Sequence, residues 1–303
     1  MNQSLTYIII PVHNRREITL KCLHNLAVNG DLESYSVIVV DDGSTDGTAV
    51  AIRQNYPNVI ILEGDGNLWW TGGIMKGMEY AYQQGAEYLI WLNDDCYPAK
   101  DAISKLLEFC RHHPKTIVGG QSLDPQTLEP SYGGIITHRN KIIPVYAPPD
   151  NSIECQGLNG NLVCVPVSVI TLIGYPNAQL YPHYHGDTIY THIAWKKGYK
   201  LIVLGAALAL CHNDHLVISW LVPERPLWSY WQDYFRIKSP FYWRGELNYY
   251  REMFGIFGVF FYLYQRIIKL IAFTIIDVII PLKIRQKIKQ SKTSETSVRN
   301  PIN

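Results

Sequence analysis

Residues 36–48 read "SVIVVDDGSTDGT". Val37 to Val40 are all β-branched with no polar alternation, which predicts a strand buried on both faces. The strand ends in Asp41 and Asp42, and the glycines at 43 and 47 predict a turn into a helix. Asp42, Ser44, Asp46 and Gly47 copy the start of a calcium loop. That loop needs Glu at its twelfth position, where Arg53 stands, so it is excluded. Ser44 or Asp46 capping the next helix explains those two side chains. It does not explain Asp41 and Asp42.

Similar runs lie on either side: "LTYIII" at 5–10, "NVIIL" at 58–62 and "EYLIWL" at 87–92. Helical patterns over Glu17–Val28, Gly47–Gln54 and Gly73–Gln84 alternate with them. A strand–helix repeat of roughly 30 residues predicts βαβ units and a parallel sheet. Such sheets bind ligands at the carboxyl ends of their strands. His13, Asn14, Asp41, Asp42, Asp65, Asp94 and Asp95 all stand at those ends. Residues 115–210 are mixed, and are expected to complete the sheet and line one side of a cleft.

Composition narrows the function. With 303 residues, 47% hydrophobic and 17% charged, the chain is globular. A net charge of +1 gives no field for nucleic acid. Six scattered cysteines show no zinc or CxxC spacing, so free thiols in a reducing compartment are expected. The N-terminus enters the first strand without a basic n-region, so no signal peptide is expected. "EGDGNLWWTGG" (63–73) hints at a dinucleotide fingerprint, but Trp69 stands where its third Gly belongs.

"IWLNDDCYP" (90–98) sets two carboxylates side by side after an apolar run. Adjacent carboxylates need a cation or several donors to stay ionised together. A divalent metal meets that need, and so does the N-terminus of a helix following Pro98. The residues alone leave both open.

The end of the chain differs. It is aromatic-rich from Trp228, then strongly apolar over 253–281, interrupted by Arg266 and Lys269. Arg266 and Asp277 return to nearly one helical face, leaving a narrow polar stripe. Lys283, Arg285, Lys287 and Lys289 follow. An interfacial, membrane-associating helix with a basic flank suits this pattern, against an ordinary core-packing helix with a solvated end. The expected division is 1–225, 226–290 and a disordered tail, 291–303.

Together these motifs resemble glycosyltransferase family 2 over about 1–215. "YIIIPVHNRRE" (7–17) resembles its opening strand, "VIVVDDGSTDGT" (37–48) its nucleotide-binding signature and "WLNDDCYP" (91–98) its acidic metal motif. "HGDTIYTHIAWKKGYK" (185–200) resembles a later acidic motif before a helix, and "ALCHND" (209–214) matches the place of a histidine that joins the metal in some members. "GNLWWTGG" (66–73) is reminiscent of bacterial polysaccharide and rhamnosyltransferase-like members.

The resemblance implies an α/β GT-A fold: a Rossmann-like, mostly parallel sheet flanked by helices, with the C-terminal extension added. It implies an inverting, metal-dependent transferase taking a nucleoside-diphosphate sugar, with dTDP-rhamnose or a UDP-sugar as donor. The acceptor is expected to be a lipid-linked or polysaccharide hydroxyl. The apolar face and trailing lysines of the C-terminal segment, rather than the resemblance, put the expected place of work at the cytoplasmic face of the membrane. Carried over, Pro11, His13 and Arg15 line the nucleotide, Asp42 reads a pyrimidine N–H, and Asp94 lies near the donor. Asp95 holds Mg²⁺ or Mn²⁺ with His212, and Asp187 is the general base. Two positions depart from the family pattern: Gly186 replaces a frequent acid and Ile193 a frequent Arg. Two other functions share these features: a sugar-nucleotide nucleotidyltransferase, which wants a Gly-rich basic loop that "PVHNRRE" lacks, and a non-catalytic membrane-associated module of the same fold.

Overall fold

The computed structural model describes residues 5–139, 141–213 and 232–284. The chain separates into two compact units, Met1–Asn213 and Asp214–Asn303. The boundary expected at 225 and the tail over 291–303 lie outside the described residues, as do Arg285, Lys287 and Lys289.

The first unit runs β1 (Thr6–Val12), α1 (Arg16–Asn29), α2 (Asp31–Ser34), β2 (Ser36–Asp41), α3 (Thr48–Asn55), β3 (Ile60–Glu63), α4 (Trp69–Gln83), β4 (Tyr88–Leu92), β5 (Cys96–Pro98) and α5 (Ala102–His112). It continues β6 (Thr116–Leu123), β7 (Pro130–Tyr132), β8 (Gly134–His138), β9 (Lys141–Val145), β10 (Ser152–Cys155), β11 (Gly157–Leu158), β12 (Leu162–Pro166), α6 (Ser168–Ile173), α7 (Gly186–Lys196) and β13 (Lys200–Cys211). The main sheet has the order β10-β13-β6-β12-β4-β1-β2-β3, with β5 on β13 and β7 on β6; β11, β8 and β9 form a second sheet.

The four N-terminal strands pair in parallel, as the βαβ repeat predicts. Parallelism is interrupted at β12, which enters antiparallel between β4 and β6, and resumes between β6 and β13. The central sheet is therefore mixed. Ile8, Ile10 and Val39 pack on one face with Leu23, Leu26 and Ile103. Ile9, Ile38 and Val40 pack on the other with Ile74, Met78 and Tyr190. Helices cover both faces, so successive strand residues are all buried, and Val and Ile run on without alternation. All six cysteines are buried free thiols.

Asp31 begins α2 almost fully buried, and burial pushes its carboxyl up to about 6. The Asn29 side chain opposes this, while Asp101 and Glu33 add to it. An unfolded Asp titrates near about 3.9, so the folded chain holds the proton more tightly between about pH 4 and about pH 6. Stability from this group falls as pH rises through that window, and the full penalty stands at pH 7. Asp31→Asn is therefore expected to raise the melting temperature at pH 7 and flatten the pH 4–6 slope in thermal melts. An unchanged melt at both ends of the window would contradict this.

The second unit corrects the expected single helix over 253–281. α8 (Trp243–Ile279) starts ten residues earlier, and Gly255, at φ 66° and ψ −153°, breaks it. The two segments fold back on each other: the Tyr250 ring meets Phe261 at 6.1 Å and Tyr262 at 5.6 Å. Arg266 pairs with Glu246, and its guanidinium lies over Tyr234, Phe241 and Tyr262. The charge that interrupts the apolar run is thus turned inward, onto a carboxylate in the preceding segment.

Candidate active site

The carboxyl ends of β1 and β2 are in register, with Val12 beside Asp41, so the loops that follow them interlock. Asn14, at φ 52°, turns the chain into α1. Its N–H donates to Ser44 Oγ at 2.8 Å, and its Oδ1 accepts the Thr45 N–H at 2.7 Å. Asp46 accepts the N–H groups of Arg16 at 2.9 Å and Thr48 at 3.1 Å, so one carboxylate serves the starts of both α1 and α3. Ser44, the other expected cap, is spent on Asn14. His13 Nδ1 lies 2.6 Å from the Asp42 carbonyl oxygen.

Asp42 is buried and both its oxygens are engaged: Oδ1 accepts the Gly66 N–H at 2.8 Å and Oδ2 the Trp69 N–H at 3.0 Å. The Gly-rich turn of 63–73 therefore wraps the Asp42 carboxylate. Trp69 takes φ 56° at the start of α4 and sets its ring edge-on to His183 at 5.8 Å. Pro11 lies in β1 opposite Val40.

At the end of β4 the acid pair meets a cationic side chain. Arg15 bridges both carboxylates, with Nε 3.3 Å from Asp94 Oδ2 and Nη2 2.7 Å from Asp95 Oδ2. Thr19, in the first turn of the helix that follows Arg15, donates its hydroxyl to Asp94 Oδ2 at 3.1 Å. Burial pushes the Asp94 carboxyl up to about 6; Arg15 opposes this and Asp95 reinforces it. The Asp95 side chain remains 26% exposed and is the accessible member of the pair. The alternative of a helix N-terminus is overturned, because β5 follows the acids and α5 starts only at Ala102.

β5 pairs antiparallel with the end of β13, Cys96 opposite Cys211. Carried one residue further, that register sets His212 across from Asp95. In the structure His212 Nδ1 lies 3.9 Å from Asp124 Oδ2. Among the described residues no trio of His, Cys, Asp or Glu gathers into a cage. A hard divalent ion does not require one. Mg²⁺ binds through one or two carboxylates and takes its remaining ligands from phosphate and water. The partly exposed Asp95 carboxylate, with His212 across from it by that register, fits that habit.

Asp187 stands in the first turn of α7. Its Oδ2 accepts the Gly160 N–H and its Oδ1 the Thr188 N–H, each at 2.6 Å. The Trp70 ring covers Gly160, and its Nε1 donates to Asn93 Oδ1 at 2.7 Å. One chain of contacts thus runs from Asp187 through Gly160, Trp70 and Asn93 to the acid pair. Gly186 has a reason in its packing: a Cβ there would overlap Thr71 Oγ1, so a larger side chain has no room.

Thr19, Asn93 and Gly160 were not expected at the site. The Arg15–Thr19 spacing signals the first. Gly160 carries no local signal, since its role depends on a partner 27 residues away.

Residues 7–160 match the family model for glycosyl transferase family 2. Over 126 residues the chain is 29% identical to the poly(ribitol-phosphate) beta-glucosyltransferase of Bacillus spizizenii, covering 38% of this chain and 18% of that one. Over 145 residues it is 26% identical to the UDP-N-acetylglucosamine–dolichyl-phosphate N-acetylglucosaminyltransferase of Methanococcus voltae, covering 43% and 57%. The crystal structure of GalNAc-T7 with UDP, GalNAc and Mn²⁺ superposes with a TM-score of 0.59 at 13% identity, covering 70% of this chain and 44% of that one. The chain spans less than two thirds of each of these proteins.

Proposed function

The chain belongs to glycosyl transferase family 2, and from that premise we propose that it transfers a sugar from a nucleoside diphosphate to a hydroxyl of a lipid-linked or polysaccharide acceptor, inverting the anomeric carbon. The observation that carries this is the Arg15-bridged pair Asp94–Asp95, at the same carboxyl end of the sheet as the His13 and Asp42 loops. The donor is a dTDP- or UDP-sugar. UDP and Mn²⁺ in a structure of the same fold support a nucleotide donor with a divalent ion, and a dolichyl-phosphate acceptor in one relative supports a lipid-linked acceptor.

Pro11, His13 and Arg15 line the nucleotide. Asp42 holds the 64–69 turn, and the lone pairs its backbone bonds leave over accept the pyrimidine N–H. Asp95 and His212 would hold Mg²⁺ or Mn²⁺, which supplies positive charge against the leaving diphosphate. Arg15 carries the countercharge of the acid pair, and its exposed fork turns to a phosphate as the donor enters. Asp187 takes the proton of the acceptor hydroxyl. The hydroxyl oxygen bonds to the anomeric carbon, and the carbon–oxygen bond to the diphosphate breaks with its electron pair going to the diphosphate. The exposed apolar face of α8 supports work at a membrane, and the side proposed is the cytoplasmic one.

The test is thermal shift against dTDP-, UDP- and GDP-sugars with Mn²⁺, then mass analysis of the product. A donor at 100 times its dissociation constant stabilises by about 2.7 kcal/mol. Release of nucleoside diphosphate on adding acceptor is the expected result. Pyrophosphate would instead indicate a nucleotidyltransferase, and binding without turnover a non-catalytic module.

A further inference from the structure

We infer that α8 is a monotopic hairpin: its second segment, 256–279, lies in the plane of one leaflet against anionic headgroups and does not cross the bilayer. This deepens the membrane reading above and rests on it.

By length and composition Trp243–Ala272 passes for a span, with mean hydropathy 1.4. The break at Gly255 removes it as a single rod. The segment after the break is about 36 Å long at 1.5 Å per residue, enough to span by itself. What it presents to solvent is apolar. Phe257, Phe260, Tyr264, Ile267, Ile271 and Val278 are each more than half exposed. Their spacing of three, four and seven places them on one helical face. Arg266 and Lys269 fall on the opposite side, and Arg266 is bound to Glu246 of the first segment.

That pairing decides between spanning and lying flat. Arg266 sits near the middle of 256–279, so in a spanning helix it would stand at the bilayer centre. Glu246 would go with it, and the first segment would follow with its exposed Arg251. A charged residue at that depth is strongly disfavoured even on the lenient insertion scales. Lying flat, the stripe buries its rings and branched chains some 5–10 Å deep while the first segment stays in water.

Charge selects the occupant. Lys283 follows the stripe, and the sequence continues with Arg285, Lys287 and Lys289 without an acid. Each such residue near an anionic surface strengthens the attraction to it. A second copy docked through this same face would set one positive run against another.

Because the six native cysteines are buried, a single introduced cysteine can be spin-labelled on the full-length chain. Phe257→Cys, Ile267→Cys and Val278→Cys are each labelled and mixed with vesicles of phosphatidylcholine, with or without phosphatidylserine. The expected result is one shallow depth for all three labels. Partition should be at least tenfold stronger with phosphatidylserine, weakened by high salt, and at least tenfold weaker in Ile267→Glu. Depth that changes steadily from 257 to 278 would overturn the inference in favour of a span. Labels that stay water-exposed, or a dimer by light scattering in place of partition, would overturn it in favour of solution contact. Neither result would touch the donor-binding test of the transferase reading.

Discussion

Asp95→Asn is expected to lower glycosyl transfer by roughly 10²–10³-fold while the melting temperature barely moves. The two readouts separate because Asp95 and Asp94 do different work. Asp94 is buried, bonded to Thr19 and paired with Arg15, so removing its charge disturbs the packing of α1 on β4. Asp95 has a 26% exposed side chain, and its structural bond is to a half-exposed Arg15. Exposed pairs of that kind contribute about 0–1 kcal/mol. In the proposed reaction Asp95 faces the leaving diphosphate, where a metal-stabilised charge is worth several kcal/mol of barrier. At about 1.36 kcal/mol per tenfold, a loss of 3–4 kcal/mol gives the stated fall. Turnover is measured with saturating Mn²⁺ and again in excess chelator. Wild-type rates in chelator would remove the metal role, and an Asn variant at wild-type turnover would reduce Asp95 to an ion-pair partner of Arg15.

The parallel half of the sheet was legible because burial on both faces writes itself into sequence as unbroken Val and Ile. The polar residues ending those runs then marked the site. The direction of β12 was not legible: "NLVCVPVSV" reads as a strand whichever way it is laid. Nor was the counter-ion of the acid pair, since Arg15 lies 80 residues from Asp95 and meets it only when β1 and β4 align. Asp42 was read as free for ligand, yet its oxygens hold Gly66 and Trp69, partners 24 and 27 residues on. Gly255 sits inside an apolar run whose helical period continues on both sides. A glycine within a helix costs only about 0.5–1 kcal/mol, so sequence alone gives no reason to break the helix there. The inward pairing of Arg266 with Glu246 supplies the reason.

Asp187→Asn is expected to cut transfer by roughly 10²–10⁴-fold with donor affinity intact, the usual weight of general-base catalysis. The competing role is structural, and the geometry gives it substance. Asp187 is not the residue before α7; that place belongs to His185, which makes no capping bond. Its carboxylate instead ties the start of α7 to the loop at 160, one oxygen on Gly160 and the other on Thr188. An amide offers one acceptor oxygen, so Asn leaves one of those N–H groups facing its own NH₂. A lost partner for a buried donor costs about 1–3 kcal/mol, and a lower melting temperature is therefore expected under either role. Stability cannot discriminate, but the rate and the donor affinity can. A carboxylate holding two N–H donors still has lone pairs for an acceptor hydroxyl, and only a carboxylate takes its proton. Asp187→Glu serves as control, since it keeps both oxygens and displaces them by one carbon. With a base at 187, the Glu variant retains more transfer than the Asn variant at equal donor affinity. If both variants lose donor affinity and transfer in parallel, Asp187 only holds the loop, and the base must be sought at Asp94, the buried carboxylate beside Arg15.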